Sequence, residues 1–267
     1  MTKPLRIAIH GAAGRMGQRL VALTAADKEL MLAAAIDAPG HPRLGQDAGV
    51  IAGVGPLGVP LASSLTPGTA DVVIDFSLPA AAELIAQTCL AQKVPLVMGT
   101  TGFSDAQQQN LRTTAATIPV LQAPNMSVAV NLAMKLADVA GQALRDHPSG
   151  ADVEIIERHH RYKEDAPSGT ALKFGQVIAQ AMGQTTHRHG REGRPGARPH
   201  GEIGYHAVRI GDDPGQHMVI FGLLGETIEL TVRATNRDCY VHGALAAAKF
   251  LAGKPPGMYS MNDVLGL

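Results

Sequence analysis

The segment Glu157–Thr170 reads ERHHRYKEDAPSGT and concentrates more reactive side chains than any other stretch of the chain. His159, His160 and Lys163 stand at the end of a strand-like run and just before a helix-like one. Histidine can give or take a proton near neutral pH, and lysine can carry charge or donate a proton. Ser168, Gly169 and Thr170 follow at the start of the helical pattern, where two hydroxyls and unpaired amides make a natural carboxylate or phosphate site. Clustered cations beside a helix N-terminus predict an anionic substrate with more than one carboxylate. The same run also reads as a solvated polar stretch. Adjacent His159 and His160 could instead ligate metal, but on a strand they point to opposite faces. No acid or Cys pattern completes a zinc site, so the expectation is no metal.

A second constellation lies at the N-terminus. Gly11-Ala12-Ala13-Gly14-Arg15-Met16-Gly17 follows an aliphatic run and opens a helical one. A turn of this kind lets a pyrophosphate approach the backbone at a helix N-terminus, and side chains at Gly11 or Gly14 would obstruct it. Asp37 ends the next aliphatic run, 20 residues after Gly17, where an acid takes the adenosine ribose hydroxyls. The G-x-x-G-x-x-G spacing alone also fits a glycine turn with no ligand; strand, glycines, helix and acid together favour a dinucleotide. Gly99-Thr100-Thr101-Gly102 and Ala123-Pro124-Asn125-Met126 end two further strand-like runs, the edge at which open parallel sheets bind ligands. A basic loop, with Arg188, Arg191, Arg194 and Arg198 among His187, His189 and His200, reads as solvated surface, with attraction of an acidic substrate as its functional alternative.

The elements that must position these groups follow from periodicity. Leu5–His10, Met31–Ile36, Val72–Phe76, Val94–Met98 and Ile118–Gln122 are non-alternating aliphatic strands. Helical patterns over 11–27 (with Met16, Leu20 and Leu23), Pro79–Gln92 and Ser104–Thr117 fall between them. That alternation predicts a parallel sheet covered on both faces. After Asn125 the pattern changes. Ser127–Arg145 reads as a long helix, Val153–Ile156 as a strand, Ser168–Met182 as a helix N-capped by Ser168, and 187–200 as a loop. Ile203–Ile210, His217–Leu223 and Glu226–Val232 read as antiparallel strands joined by turns. Asp238–Leu251 closes the pattern as a helix. The expectation is α/β: a Rossmann-type doubly wound parallel sheet over 1–126, to which 238–267 returns, plus a smaller α+β domain over 127–237.

Composition narrows the class. The chain has 267 residues, 23 Lys+Arg against 23 Asp+Glu, 45% apolar residues and 17% charged ones, which excludes disorder and argues against nucleic-acid binding. Cys89 and Cys239 form no disulfide framework. Leu5–His10 is too short for a signal peptide and no stretch is long enough to span a membrane, so a soluble cytoplasmic protein is expected.

The string HHRYKEDAPSGTA, from His159 to Ala171, resembles the HHxxKxDAPSGTA signature of bacterial dihydrodipicolinate reductases, also called 4-hydroxy-tetrahydrodipicolinate reductases. GAAGRMG, GTTG and NMSVAVN resemble that family's cofactor loops, and the resemblance runs from Arg6 to the closing DVLGL. It implies reduction of a cyclic imine dicarboxylate with NADH or NADPH on the diaminopimelate route to lysine. His159 would then be the acid/base and Lys163 a proton donor. His160, Gly169 and Thr170, with Ser168 beside them, would bind the substrate carboxylates. Gly11–Met16, Asp37, Gly99–Thr101 and Ala123–Met126 would contact the dinucleotide. The resemblance also implies a homotetramer joined through sheets of the second domain. Ala38 stands where many members carry a basic residue for a 2′-phosphate, so NADH is expected to serve at least as well as NADPH. Ala129 stands where a Gly is common. Two other readings use the same residues: a related dehydrogenase of another acidic substrate, and a non-catalytic dinucleotide sensor.

Overall fold

A computed structural model describes residues 3–267. The chain divides into two compact units, residues 1–128 with 238–267, and residues 129–237. The first unit is built from β1 (Leu5–His10), α1 (Arg15–Ala26), β2 (Leu30–Ile36), α2 (Ala48–Ile51), β3 (Leu61–Ala62), β4 (Val72–Asp75), α3 (Pro79–Gln92), β5 (Leu96–Met98), α4 (Asp105–Ala115) and β6 (Pro119–Gln122). Next come α5 (Val128–Leu144), β7 (Asp152–His159), α6 (Gly169–Met182), β8 (Thr186–His189), β9 (Glu202–Arg209), β10 (Gln216–Leu223) and β11 (Glu226–Arg233). α7 (Asp238–Leu251), β12 (Gly257–Tyr259) and α8 (Met261–Leu265) complete the chain.

The first unit is a doubly wound parallel sheet in the order β12-β6-β5-β4-β1-β2-β3. Its strands are aliphatic without alternation because both faces are covered. Ile7, Ile9, Val72 and Ile74 pack into a core with α1 and α7, while Ala8, Val73, Leu96 and Met98 pack with α3 and α4 on the other side. β2 and β3 continue from β1 in one direction, and β4, β5 and β6 in the other. The topological switch point therefore lies between β1 and β4, where the final register partners are His10 and Asp75. α7 is tied to the α1–β2 corner by Arg19–Asp238 (2.7 Å) and by Lys249 with Asp27 (2.8 Å) and Glu29 (2.5 Å).

The second unit is a five-stranded mixed sheet, β11-β10-β7-β9-β8, with α5 and α6 on one face. Val153 and Ile155 of β7, Ile203 and Tyr205 of β9, and Val219 and Phe221 of β10 form its core with Phe174 and Ile178 of α6. Three expectations are corrected here. β9 and β10 follow one another in sequence but do not pair: β7 lies between them, parallel to β9 and antiparallel to β10. The antiparallel expectation holds for β10 with β11. The 187–200 loop begins as a strand, because Thr186–His189 pairs in parallel with β9. Two of its four arginines are not simply solvated. Arg191 binds Glu154 (2.7 Å) and Glu202 (2.5 Å), and Arg198 binds Asp152 (2.6 Å) and Glu154 (3.0 Å). Loop spacing could not reveal this, since the acids come from β7 and β9. Glu154 is held down at about 2: burial opposes ionisation, but hydrogen bonds from Arg191, Arg198 and His206 outweigh it.

Candidate functional site

Two clusters of polar groups stand out, one in each unit. In the first, β1 delivers the chain into the glycine turn at the switch point. Gly11 adopts φ +77°, and a Cβ there would strike the Phe76 carbonyl at the end of β4. Gly17 sits so close to the turn that a Cβ would run into the Gly11 carbonyl oxygen and the Ala12 backbone. Gly11 is therefore required by the protein's own backbone, not only by an approaching phosphate. Asp37, just past β2, accepts from Ala13 N and Ala38 N, both at 2.9 Å, and so fastens the turn to the acid. A depression of about 460 Å³ opens here, lined among others by His10, Gly14, Arg15, Asp37, His41 and Ser77. A smaller one of about 260 Å³ is lined by Thr100, Thr101, Gly102, Gln122 and Pro124, among others.

Gly11, Ala13, Gly14, Arg15, Met16 and Asp37 thus gather at one depression, and Thr100, Thr101 and Pro124 at the other. Ala12, Ala123 and Met126 are buried core residues and offer a ligand only their backbone. Asn125 Oδ1 accepts from Ser127 N at 2.9 Å, an Asx turn ahead of α5. A Cβ at Gly99 would meet the Phe76 ring, so this glycine lets the loop after β5 cross that side chain.

Sequence reasoning missed the group that joins these loops. Asp75 is fully buried at the end of β4. Its Oδ1 lies 2.5 Å from His10 Nδ1 and accepts from Ser77 Oγ at 2.7 Å. Its Oδ2 accepts from Thr100 Oγ1 at 2.5 Å, and that hydroxyl accepts from Ser77 N at 2.8 Å. One carboxylate therefore binds the strand before the glycine turn, the loop after β4 and the loop after β5. The available signal was an acid ending an otherwise aliphatic strand.

In the second unit, the period of β7 places Val153, Ile155, Glu157 and His159 on its covered face. The first two build core and the last two place a buried carboxylate and an imidazole at the strand's end. Glu157 is 1% exposed. It takes His159 Nδ1 at 2.6 Å, two Arg209 nitrogens at 2.8 Å each, and Ser168 N at 3.1 Å. Burial would raise its carboxyl, yet Arg209 and His159 hold it below the ordinary carboxylate value. Burial lowers His159, and Glu157 partly offsets that. His217, opposite Glu157 on β10, stacks edge-on to His159 (5.2 Å between centroids) and shares a 2.9 Å hydrogen bond with Ser168 Oγ. Burial first, then the neighbouring His159, pushes His217 down to about 4, so this second imidazole stays neutral.

β7 ends at His159; His160 begins the loop, its Nδ1 buried without a hydrogen-bond partner. Lys163 Nζ is held by Asp165 at 2.7 and 2.9 Å. Ser168 is 2% exposed and caps α6 through Ala171 N (3.2 Å). Its hydroxyl is committed to the cap and to His217, whereas Gly169 heads the helix at an exposed position. Gly215 lies against the Nε2 side of His159: a Cβ there would come within 2.9 Å of that atom. Glu157, Arg209 and His217 were not singled out from sequence, because strands β9 and β10 bring the last two from far along the chain. The arrangement can hold an anion at the α6 N-terminus and exchange a proton through His159 Nε2 or Lys163 Nζ. Among the described residues no group of three or more His, Cys, Asp or Glu is placed to hold a metal ion, and no helix is long and apolar enough to cross a membrane.

Comparison with known proteins covers both units. The dihydrodipicolinate reductase N-terminus model matches residues 5–126, and the C-terminus model matches residues 129–265. A 4-hydroxy-tetrahydrodipicolinate reductase of Rhodopirellula baltica is 55% identical over 273 residues, spanning 100% of this chain and 98% of that protein. One of Alkalilimnicola ehrlichii is 47% identical over 267 residues, spanning 98% of this chain and 99% of that protein. Among solved structures, dipicolinate-bound dihydrodipicolinate reductase from Paenisporosarcina sp. TG-14 superposes with a TM-score of 0.77 at 26% identity, over 97% of this chain and 98% of that one. An amine dehydrogenase from Mycobacterium smegmatis, with a TM-score of 0.60 and 12% identity over 97% of this chain and 96% of that one, shares the fold alone.

Proposed function

The chain belongs to the dihydrodipicolinate reductase family, and from that premise we propose how its own residues bind the dinucleotide and the dicarboxylate and move the proton. The protein is an oxidoreductase that uses a nicotinamide dinucleotide to reduce 4-hydroxy-tetrahydrodipicolinate to tetrahydrodipicolinate, on the diaminopimelate route to lysine.

The first unit is the dinucleotide-binding domain. Its glycine turn, the α1 N-terminus and the depression beside Asp37 fit a pyrophosphate and a ribose diol. Gly11–Met16 hold the pyrophosphate, Asp37 the ribose, and Gly99–Thr101 with Ala123–Met126 the remaining contacts. The bound dinucleotide supplies a hydride. Arg15 and His41 also line the depression, but Asp37 repels a 2′-phosphate and Ala38 offers it no cation. NADH is accordingly used at least as well as NADPH.

The second unit binds the substrate. His160, Gly169 and Thr170 hold its carboxylates, with Ser168 fixing the helix start they depend on. As hydride adds to the conjugated carbon–nitrogen system, negative charge develops. The Lys163 ammonium stabilises that charge and donates a proton, and His159 serves as acid/base through Nε2. The observation that carries this reading is the single segment 159–170, which combines an oriented imidazole, an ammonium and a helix N-terminus. β11 is an outermost strand with half-exposed Ile228, which fits a homotetramer joined through this sheet. A cytoplasmic location suits a biosynthetic reductase.

Absorbance at 340 nm tests the reading with freshly generated substrate and each dinucleotide in turn. Turnover with NADH at a kcat/KM at least equal to that with NADPH is expected. A strong NADPH preference would overturn the cofactor assignment, and absence of turnover with either would overturn the catalytic one.

A further inference from the structure

We propose that Glu157 is the positioning residue of the reductase, one carboxylate that aims the acid/base imidazole and fixes the substrate-binding helix start relative to it. The proposal rests on the reading of His159 as acid/base. Its basis is how the two carboxylate oxygens are divided. Oε2 takes His159 Nδ1 and Arg209 Nη1, while Oε1 takes Arg209 Nη2 and the backbone amide of Ser168. Holding Nδ1–H fixes the tautomer, so that Nε2 is the atom left to exchange a proton. Holding Ser168 N fixes the residue whose hydroxyl caps α6, and hence the amides that follow it.

Arg209 is what keeps this carboxylate in place. It is the register partner of His159 on β9, and its two-pronged grip engages both Glu157 oxygens at 2.8 Å. Arg209 also donates to the carbonyls of Lys163 and Asp165, so the Lys163 loop hangs from the same guanidinium. Proton donor, ammonium loop and carboxylate anchor are thus joined through one acid and one base, and a displacement of any of them is felt by the others.

The charged and titratable groups facing His159 are Glu157 on its own strand, Arg209 on β9, His217 on β10, Lys163 in the following loop and Asp213 in the β9–β10 turn. Of the first four, only Glu157 favours the imidazolium; Lys163 and Arg209 oppose it, and the charge of His159 in turn opposes protonation of His217. Replacing Glu157 by a neutral isostere therefore lowers the titration of His159, and activity that needs the protonated ring is lost at a lower pH.

The experiment compares Glu157→Gln, Glu157→Asp and His159→Gln by steady-state kinetics across pH, with NADH affinity measured by fluorescence as a control. For Glu157→Gln the expected result is kcat reduced roughly 10- to 100-fold, the usual cost of losing the partner that orients a histidine. KM for the dicarboxylate should rise, the alkaline limb of kcat/KM should move to lower pH, and NADH affinity should stay unchanged. Glu157→Asp keeps the charge and should recover part of the pH shift. Glu157→Gln with kcat within twofold of the wild type and an unmoved alkaline limb would overturn the proposal. If His159→Gln itself turns over normally, the acid/base reading fails instead, whatever Glu157 does. Should Glu157→Gln not fold, Arg209→Lys applies the same test. It keeps the charge but loosens the grip, and an unchanged kcat there counts against the proposal.

Discussion

Replacing Asp75 with alanine should destabilise the first unit and weaken dinucleotide binding together. The carboxylate is fully buried and accepts from three side chains at 2.5–2.7 Å. Alanine removes all three hydrogen bonds at once. His10 and Thr100, at 8% and 5% exposure, then keep donors that cannot turn to water, while half-buried Ser77 can. An orphaned buried donor costs about 1–3 kcal/mol, and two are left. The expected loss is therefore about 2–6 kcal/mol. At about 2–4 °C per kcal/mol for a unit of this size, the unfolding temperature should fall by roughly 4–24 °C. Asp75→Asn keeps the shape and should lose less. Scanning calorimetry gives the stability, and NADH fluorescence titration gives the affinity, which should fall about tenfold as the Thr100 and Ser77 loops lose their common anchor. If Asp75→Ala melts within 2 °C of the wild type, the reasoning that the network holds the loops is refuted.

The other predictions are simpler. Lys163→Ala should lower kcat about 100-fold or more while NADH affinity by fluorescence stays near normal, because the two sites lie in different units; loss of NADH binding would contradict that division. Gly17→Ala places a methyl against the Gly11 carbonyl and Ala12, so the turn must shift and the NADH dissociation constant, read by titration, should rise about tenfold; an unchanged value would show that the turn tolerates the methyl. Glu154 has a folded value of about 2, below the ordinary carboxylate value of about 4.3, so its contribution is complete above the latter and lost as pH falls toward the former. Urea midpoints of wild type and Glu154→Gln should accordingly differ most above about pH 4.5 and converge on acidification, whereas a constant difference would place the stabilisation elsewhere.

The parallel half of the fold is legible because burial on both faces writes itself into uninterrupted aliphatic strands such as Val72–Ile74 and Leu96–Met98. The short edge strands β3 and β12 carry too few residues for any period, and they were not anticipated. In the second unit, β7 reads correctly only as far as Ile156. Its last residues, Glu157, Arg158 and His159, are polar and hide a strand whose covered face has passed from apolar core to buried polar groups. Pairing order was also hidden, since short turns suggest neighbours and β7 instead separates β9 from β10. The candidate site residues in local motifs, from Gly11 to Met16 and from His159 to Thr170, are visible as strings. Asp75, Arg209 and His217 are not, because the partners His10, Thr100, Glu157 and Ser168 lie 25 to 65 residues away in sequence.

The chain leaves the first unit after residue 128 and returns to it at residue 238. Order of synthesis then matters. Residues 129–237 form a continuous unit that can close as soon as it emerges, but the first sheet cannot. Val241, Ala244, Leu245, Ala248, Leu251 and Met261 all belong to the core that covers one of its faces, and β12 borders β6. At about 5–20 residues per second, the half-built sheet waits on the order of 10 s with that face bare. The second-made unit is therefore free to mature first, and the sheet that carries the glycine turn is completed last, by residues such as Gly243 that pack against the loop at Met126.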